Sequence, residues 1–572
     1  MRLLSLNLQG EYKGLVNQFF DFSRSHGNVL ALIGLNGSGK SQLLELIGEI
    51  FSFLERSQRS DFVVKKALGF GFEIVYQLDD VASHQAGSPT MVAGSPLAVA
   101  GEIVDQKFKV RVGSNSTSPQ VYISIDNEWI STPIETLTLP YVIGYSSGLN
   151  ENLQRSFMKN AVQYFEIMRI RFKRRKELAE SRSESEAAAI NRRYLDKFPN
   201  IFSSNTGEAM EQDGYLSLRE ADTLISRAIY LDYDSVPLLL VSMSIFSKEE
   251  IEDLYQEVKF KYPEKATFNY DFRSGVVEED AIRDIKLLIR VAGEDNFNGV
   301  GSRATPEQYE LYELNFLAGS ITLDLTDDNV LSRLRESHYN DPIAIFRRLY
   351  KVQQLGVKNW HRSMRLLLQN DSFQETVKKP LKTKLPLCVT KLILSDGHGN
   401  TVSFDDLSDG ESQLIQILSA VKVFSSQHTL FLLDEPETHL NPSWRTYFHH
   451  HLSQAASRAD DQSENSQVFV STHSPFMVSS LRKENVFFFE RDGEGFIKMD
   501  DIDSQTYGAS FEVLTKKYFG LRSLISQTVV DEVKAHLPSD ETLESLATSR
   551  AWIEENLGES MEKAYLLRKL ES

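Results

Sequence analysis

Cysteine is almost absent: Cys388 is the only one in 572 residues. No intrachain disulfide and no cysteine-rich metal site can be built from it, and a lone thiol suits a reducing compartment. Long apolar runs are missing too. The best stretch, Val236–Phe246, falls short of the roughly 18–20 residues that span a bilayer. Only a few apolar residues follow Arg2 before polar Asn7 and Gln9, so no secretory signal is expected. Positive charge is scarce: 62 Lys and Arg against 80 Asp and Glu leave a formal net charge of -18. That balance argues against a surface that coats nucleic acid broadly. What is present, 41% hydrophobic and 25% charged residues, is a globular composition with length for three or four domain-sized units. A large cytoplasmic protein without a membrane segment is expected.

Along the chain, Val29–Ile33 reads as a buried strand, and Leu43, Leu44, Ile47 and Ile50 then recur at helical spacing. Phe72–Leu78, Gln120–Ile125 and Tyr141–Tyr145 are predicted strands, and residues 81–98, rich in Ser, Gly, Ala and Pro, a surface loop. From about residue 151 the pattern changes. Phe157, Ala161, Tyr164, Phe165, Met168 and Phe172 form an apolar helical stripe, followed by a charged stretch to Asn191. The region to 385 is predicted mostly helical, with strand-like pieces such as Pro237–Val241. Pro237, Pro263, Pro306 and Pro342 interrupt it, which favours a compact insertion over a long coiled-coil arm. Val389–Leu394 and Thr401–Phe404 then flank turn residues Asp396–Asn400 as a hairpin. LSDGES, a helix with Leu414, Ile415, Leu418 and Val421, and strands at TLFLLDE and VFVSTH follow, with a polar loop over 453–467 between the strands. The last segment is helical and acidic: residues 531–572 hold ten acids and five Lys or Arg.

Four short stretches carry chemistry. Gly34–Ser41 fits G-x-x-x-x-G-K-[ST] between a strand and a helix. Backbone N–H groups around Gly34, Asn36, Gly37, Ser38 and Gly39 would cradle phosphates at the helix tip. Lys40 would reach the β- and γ-phosphates and the Ser41 hydroxyl would bind Mg2+; the plainer alternative is a glycine-rich turn. Strand Leu430–Leu433 ends in Asp434, placed for the Mg2+ water shell, and Glu435, placed to polarise an attacking water; alone, it is an ordinary strand with a polar exit. His473, after strand Val468–Val470, would contact the γ-phosphate or that water. Ser408, Asp409, Gly410 and Glu411 open a helix 26 residues before Asp434. Their hydroxyl and N–H groups suit a phosphate, while Ser408 with Glu411 is also a capping box, and the two roles are compatible.

Other clusters are weaker. Arg169–Lys176 holds six Arg or Lys in eight positions, a surface for nucleic-acid phosphates or a solvated helix face balanced by Glu177, Glu180, Glu184 and Glu186. Asp500, Asp501 and Asp503 do not make an evident nuclease constellation, and His449–His451 stand too close together for an HNH or zinc arrangement.

In this order the four motifs resemble the ABC-class ATPases, specifically the non-transporter heads related to RecF, SMC and OLD proteins. The likeness covers about 1–150 and 386–500. It implies an α/β P-loop NTPase fold with an ABC-type head, a mixed sheet flanked by helices, interrupted by the insertion. Residues 1–150 would be its N-terminal lobe, 151–385 the insertion for a partner or nucleic acid, 386–500 the C-terminal lobe and 501–572 a helical tail. It further implies ATP and Mg2+ as ligands and a homodimer or higher oligomer sandwiching ATP, with Lys40 of one head facing Ser408 of the other. His439, Leu440 and Asn441 match the segment that crosses this interface. Asp409 and Glu411 depart from the usual LSGGQ and add negative charge there. For the lid glutamine both Gln77 and Gln154 stand open. LSDGE, LLDEPETHLNPSW, STHSP and the YVIGYSSG segment at 141–148 are most similar to the ATPase subunits of Septu-type anti-phage defence systems, in particular the retron-associated form. That likeness implies a separate HNH nuclease subunit and, in retron forms, a reverse transcriptase with its DNA–RNA product. A RecF- or SMC-type DNA-repair clamp that binds DNA directly is the alternative.

Overall fold

The helix Lys40–Gln58 is apolar around most of its circumference: Leu43, Leu44, Leu46, Ile47, Ile50, Phe51, Phe53 and Leu54 are all buried. Such a helix must be enclosed, and it lies in a core shared by two sheets. The computed structural model describes residues 1–62, 64, 67–79, 106–147, 152–204, 218–220, 224–273, 279–360, 362–368, 384–456, 466–521, 526–537 and 542–571. The loop expected over 81–98 lies outside these residues, as does 457–465. The rest of the loop expected over 453–467 is regular structure: Ser453–Ala456 closes the helix Pro442–Ala456, and Ser466–Gln467 opens a strand.

The larger of the two sheets has nine strands among the described residues. Its order is Ala228–Tyr230, Tyr141–Ser146, Thr429–Asp434, Ser466–Ser471, Val29–Gly34, Val486–Arg491, Ile497–Asp501, Leu15–Val16 and Glu11–Tyr12. The first six run parallel. Val29–Gly34, Thr429–Asp434 and Ser466–Ser471 are buried at every residue, as parallel strands covered on both faces are. The strand of Asp434 is separated from the strand of the glycine loop by Ser466–Ser471, so the carboxyl ends of three strands meet in one crevice. The other sheet is antiparallel, in the order Phe19–Asp21, Arg2–Gln9, Gly71–Leu78, Gln106–Val112, Gln120–Ile125 and Glu128–Thr132.

The insertion opens with the 28-residue helix Asn152–Ala179, whose predicted stripe is buried at Phe157, Ala161, Tyr164, Phe165 and Met168. Besides helices it supplies strands Tyr262–Asp271, Phe297–Gly299 and Ala318–Asp324, which join Leu387–Ser395 and Thr401–Ser403, the hairpin expected over 389–404, in a five-stranded antiparallel sheet. This sheet pairs strands from both sides of position 385. Pro237–Val241, expected as a strand, is instead part of the helix Val236–Met243. Every residue of that helix is buried, so its unbroken apolar run carries no period to tell helix from strand. Pro237 sits in its first turn, where the missing N–H is not needed.

A polar seam joins Lys40–Gln58 to Asn152–Ala179. Lys159 Nζ donates to Glu49 (2.7 Å), Arg155 to Glu45 (3.3 Å) and Arg56 to Asn160 (2.7 Å). Glu55 accepts from Asn160 (2.9 Å), Ser226 Oγ (2.5 Å) and the N–H of Arg227 (2.9 Å). All three carboxylates are buried. Burial pushes the Glu49 carboxyl up, but the charges of Lys159 and Arg56 and the hydrogen bonds from Lys159 and Ser156 together hold it below its ordinary range.

Residues 1–508 form one compact unit and 509–572 a second. The second contains helices Phe511–Tyr518, Gln527–His536, Leu543–Asn556 and Met561–Glu571, and within it His536 stacks on Trp552 at 4.1 Å.

Removing one partner of a buried ion pair leaves the other charge without compensation. Lys159→Met is expected to lower the unfolding free energy by about 3 kcal/mol, read as an earlier urea midpoint; an unmoved midpoint would show the seam to be energetically idle.

Candidate functional site

The glycine loop and three strand ends build one cleft of about 570 Å³, lined by Asn36, Gly37, Gly39, Lys40, Ser41, Gln42, Glu45, Glu435 and His473. Its size suits a nucleotide-scale ligand. Gly39 precedes the helix at φ +112, and a Cβ there would collide with Ile497, so the turn needs glycine. Arg491 steadies the loop from the neighbouring strand by donating to the Gly37 carbonyl (2.7 Å). Lys40 is 5% exposed and donates to the carbonyls of Gly34 (3.1 Å) and Leu35 (3.2 Å). Ser41 Oγ donates to Asp434 Oδ1 at 2.8 Å across a separation of 393 residues. Asp434 also accepts from Ser471 Oγ and, at 3.4 Å, from Ser146 Oγ.

Glu435 takes φ +50, a left-handed conformation costly for a residue with a side chain. Its N–H donates to Ser471 O (3.0 Å), and Thr438 Oγ1 donates to its carbonyl (2.9 Å). These bonds turn the strand end so that the carboxylate faces the cleft. His473 Nε2 lies 3.0 Å from Lys40 Nζ and 3.5 Å from Glu435 Oε1.

Electrostatics assign the protons. Burial pulls Lys40 down to about 8, against the pull of Glu435 and Asp434, which leaves it mostly charged at neutral pH. Burial, with the charge of Lys40, pulls His473 down to about 4. The ring is therefore neutral and its Nε2 accepts from Lys40, so its approach to Glu435 is neither an ion pair nor a hydrogen bond. Burial pushes Asp434 up, opposed by the hydrogen bonds from Ser471 and Ser41.

The donors fit a Mg2+–nucleotide. The hydroxyls of Ser41, Ser471 and Ser146 gather at the Asp434 carboxylate, an oxygen set of the kind a hard cation takes. Inside the loop the Ser38 hydroxyl is buried without a hydrogen-bond partner. Among the described residues no group of three or more His, Cys, Asp or Glu forms an all-protein metal cage, so a Mg2+ held by Ser41 and Asp434 would rely on water and phosphate for its remaining ligands.

The parallel strand order, the glycine loop at Lys40 and the strand end at Asp434 together identify the fold. It is that of a P-loop ATPase. Residues 281–479 match a family model described as "AAA domain, putative AbiEii toxin, Type IV TA system". That span contains Ser408, Asp434, Glu435 and His473 but not the glycine loop. No curated protein matches the chain. Among solved structures, "Crystal structure of the SmcHead bound to the C-winged helix domain of ScpA" aligns at 12% identity over 87% of this chain and 98% of that one, with a TM-score of 0.29. A second Smc head with an extended coiled coil, bound to the C-terminal domain of ScpA derived from Pyrococcus furiosus, aligns at 13% identity over 91% and 99%, with a TM-score of 0.28. Overlaps at those scores carry no argument.

Not every predicted site residue meets in the cleft. Ser408 caps the helix Asp409–Phe424 in a full capping box, its N–H and hydroxyl both donating to Glu411 (3.0 and 2.8 Å). None of Ser408, Asp409, Gly410 and Glu411 lines the cleft of its own chain. Gly410 packs on the 439–441 segment: a Cβ there would meet the His439 carbonyl at 2.8 Å. His439 N–H in turn donates to Gln413 (3.0 Å), Leu440 is buried, and Asn441 Oδ1 accepts from Trp444 N (2.9 Å). Neither lid candidate reaches the cleft: Gln77 donates to Asp79 (2.9 Å), and Gln154 lines a separate cavity of about 50 Å³ with Asp232, Gln353 and Trp360. In the basic stretch Arg171 and Arg174 are buried, Arg174 donating to Asn191 (3.0 Å), and Arg169 pairs with Glu166. His449–His451 lie on the helix Pro442–Ala456, with His451 against Glu257 at 2.6 Å.

Glu45, Gln42 and Arg491 lie outside the sequence motifs, while Ser471 and Glu437 lie within them with no role assigned from sequence. The acids of the 45–55 helix had a signal, since charges inside an apolar helical repeat announce buried partners; Arg491 had none.

Glu437 is 5% exposed, and burial pushes it up to about 7 from an ordinary 4.5. The folded chain keeps this proton up to about pH 7, whereas the unfolded chain loses it near 4.5. The contribution is therefore full below the lower value and lost as pH rises through the higher one. Glu437→Gln removes that loss, so its Tm relative to the parent should be higher at pH 8 than at pH 5 by scanning fluorimetry. A flat difference would contradict the raised carboxyl.

Proposed function

We propose that the chain is an ATP-hydrolysing head that associates with a second copy through sandwiched, Mg2+-bound ATP. The observation that carries this is the meeting of Lys40, Ser41, Asp434, Glu435 and His473 around one nucleotide-sized cleft. Lys40 and backbone N–H groups hold the phosphates. Ser41 and Asp434 hold Mg2+, whose chemistry is to neutralise phosphate charge. Glu435 accepts the proton of the attacking water, and neutral His473 orients that water or the γ-phosphate. Ser408 stands outside its own cleft and serves the nucleotide of the partner head.

The biological role proposed is the ATPase subunit of a bacterial anti-phage defence system of the Septu type, controlling or positioning a separate HNH nuclease, with a retron reverse transcriptase and its DNA–RNA product as further partners. The motif resemblance at 407–411, 432–444 and 471–475 supports it. So does the acidic surface balance, together with a basic stretch partly consumed by internal contacts, since both disfavour direct wrapping of DNA. The insertion and the 501–572 segment are where partners are proposed to bind.

Lys40→Ala should abolish ATP binding, while Glu435→Gln should keep binding, stop hydrolysis and trap associated heads, measured by nucleotide binding, phosphate release and light scattering. Normal phosphate release by Glu435→Gln would remove it as general base. Ser408→Arg should leave nucleotide binding to the single head intact and prevent ATP-driven association; unchanged association and turnover would sink the sandwich. For the defence role, the native protein should co-purify with a small nuclease, identified by mass spectrometry; ATP-dependent DNA binding by the isolated chain would favour the clamp alternative.

A further inference from the structure

Two residues beyond Glu435, Glu437 lines no part of the cleft yet is buried among its supports. One carboxylate oxygen, Oε1, accepts the Thr472 hydroxyl, while Oε2 is buried with no hydrogen-bond partner. An unsatisfied buried carboxylate oxygen is costly, and a turn contact alone is met more cheaply by a smaller neutral residue.

What the group holds is the backbone beside His473. Thr472 precedes His473, and its Oγ1 accepts the N–H of Ser474 at 2.9 Å. The hydroxyl spends its proton on Glu437 and a lone pair on Ser474, so the chain Ser474–Thr472–Glu437 clasps His473 on both sides with one polarity. The Thr472 N–H is fixed to Leu32 O at 3.0 Å. On its other side Glu437 stands two residues before the segment His439–Asn441, which resembles an inter-head loop. Leu440 N donates to its carbonyl (3.1 Å), Arg445 holds the carbonyls of Thr438 and Leu440 (2.9 Å each), and His439 N reaches Gln413 on the Ser408 helix.

We propose that Glu437 is a positioning residue for ATP hydrolysis, tying the place of His473, through the Thr472 hydroxyl, to the segment 438–441. Displacement of that segment by a second head is then felt at His473. The proposal rests on the hydrolytic roles given above to Glu435 and His473.

The test is a double-mutant cycle on the full chain, with steady-state ATPase and a fluorescent ATP analogue for binding. Glu437→Ala and Thr472→Val should each lower kcat by roughly ten- to a hundredfold, the loss that follows from misplacing a reacting group. KM and analogue affinity should stay at parent values, and the double variant should lose no more than either single one. Glu437→Gln and Thr472→Ser keep the acceptor and the hydroxyl and should restore most of kcat, a rescue that a volume effect would not show. Losses that multiply in the double variant, or a raised KM at parent kcat, overturn the proposal. If Glu437→Ala fails to fold, Thr472→Val against Thr472→Ser decides: equal kcat in the two overturns it. His473→Ala separates the two levels. Parent-rate hydrolysis by that variant refutes the role of His473 and the proposal with it, whereas its loss beside unimpaired Glu437→Ala and Thr472→Val refutes the link alone.

Discussion

The hydrogen bond from Ser41 to Asp434 is the point at which two distant stretches of chain become one site. It exists only because Thr429–Asp434, Ser466–Ser471 and Val29–Gly34 run parallel and in a register that ends them together. A shift of one residue in a strand buried on both faces would exchange its faces and misplace every terminal side chain. Asp434 is 6% exposed and Lys40 5%. Their charges therefore act through little water, where interactions are strong and errors expensive. The strained backbone at Glu435 follows from the same geometry, since the chain must leave the strand at once to present a carboxylate.

Behind the cleft, the helix Asn152–Ala179 supports the helix that follows the glycine loop. Glu45 lines the cleft and is paired with Arg155, while Glu49 and Glu55 meet Lys159, Asn160 and Ser226. Lys13 completes the set at Glu45. Buried pairs of this kind tolerate little separation, because each charge depends on the other for its solvation. The helix that begins at the glycine loop is thereby tied to Asn152–Ala179 by buried polar contacts. The same logic limits the Arg169–Lys176 stretch. Burial of Arg171 and Arg174 removes two of its six charges from any phosphate surface.

The Ser408 helix shows how one motif can serve two ends. Its capping box engages the serine N–H and hydroxyl with Glu411, and its glycine is required by the approach of the His439 carbonyl. Both are local needs of the folded chain, so the motif is explained by packing before any nucleotide is considered, and a phosphate there must compete with Glu411 for the same donors.

Residues close in sequence were legible in the sequence. The strand–glycine loop–helix unit at 29–58, the hairpin at 387–403, the cap at Ser408 and the strands ending at Asp434 and Ser471 follow from period, turn chemistry and capping, all short-range. The helix Val236–Met243 was misread because burial on every side erases the period. Pairing of Glu49 with Lys159, the support of Gly37 by Arg491 and the clasp of Glu437 on Thr472 depend on which elements pack together. Short-range pattern reveals which chemical groups the protein carries and the local turns that present them. Which of those groups meet depends on packing, because contacts across hundreds of residues are set by sheet order and by the exclusion of water, and neither leaves a pattern along the chain.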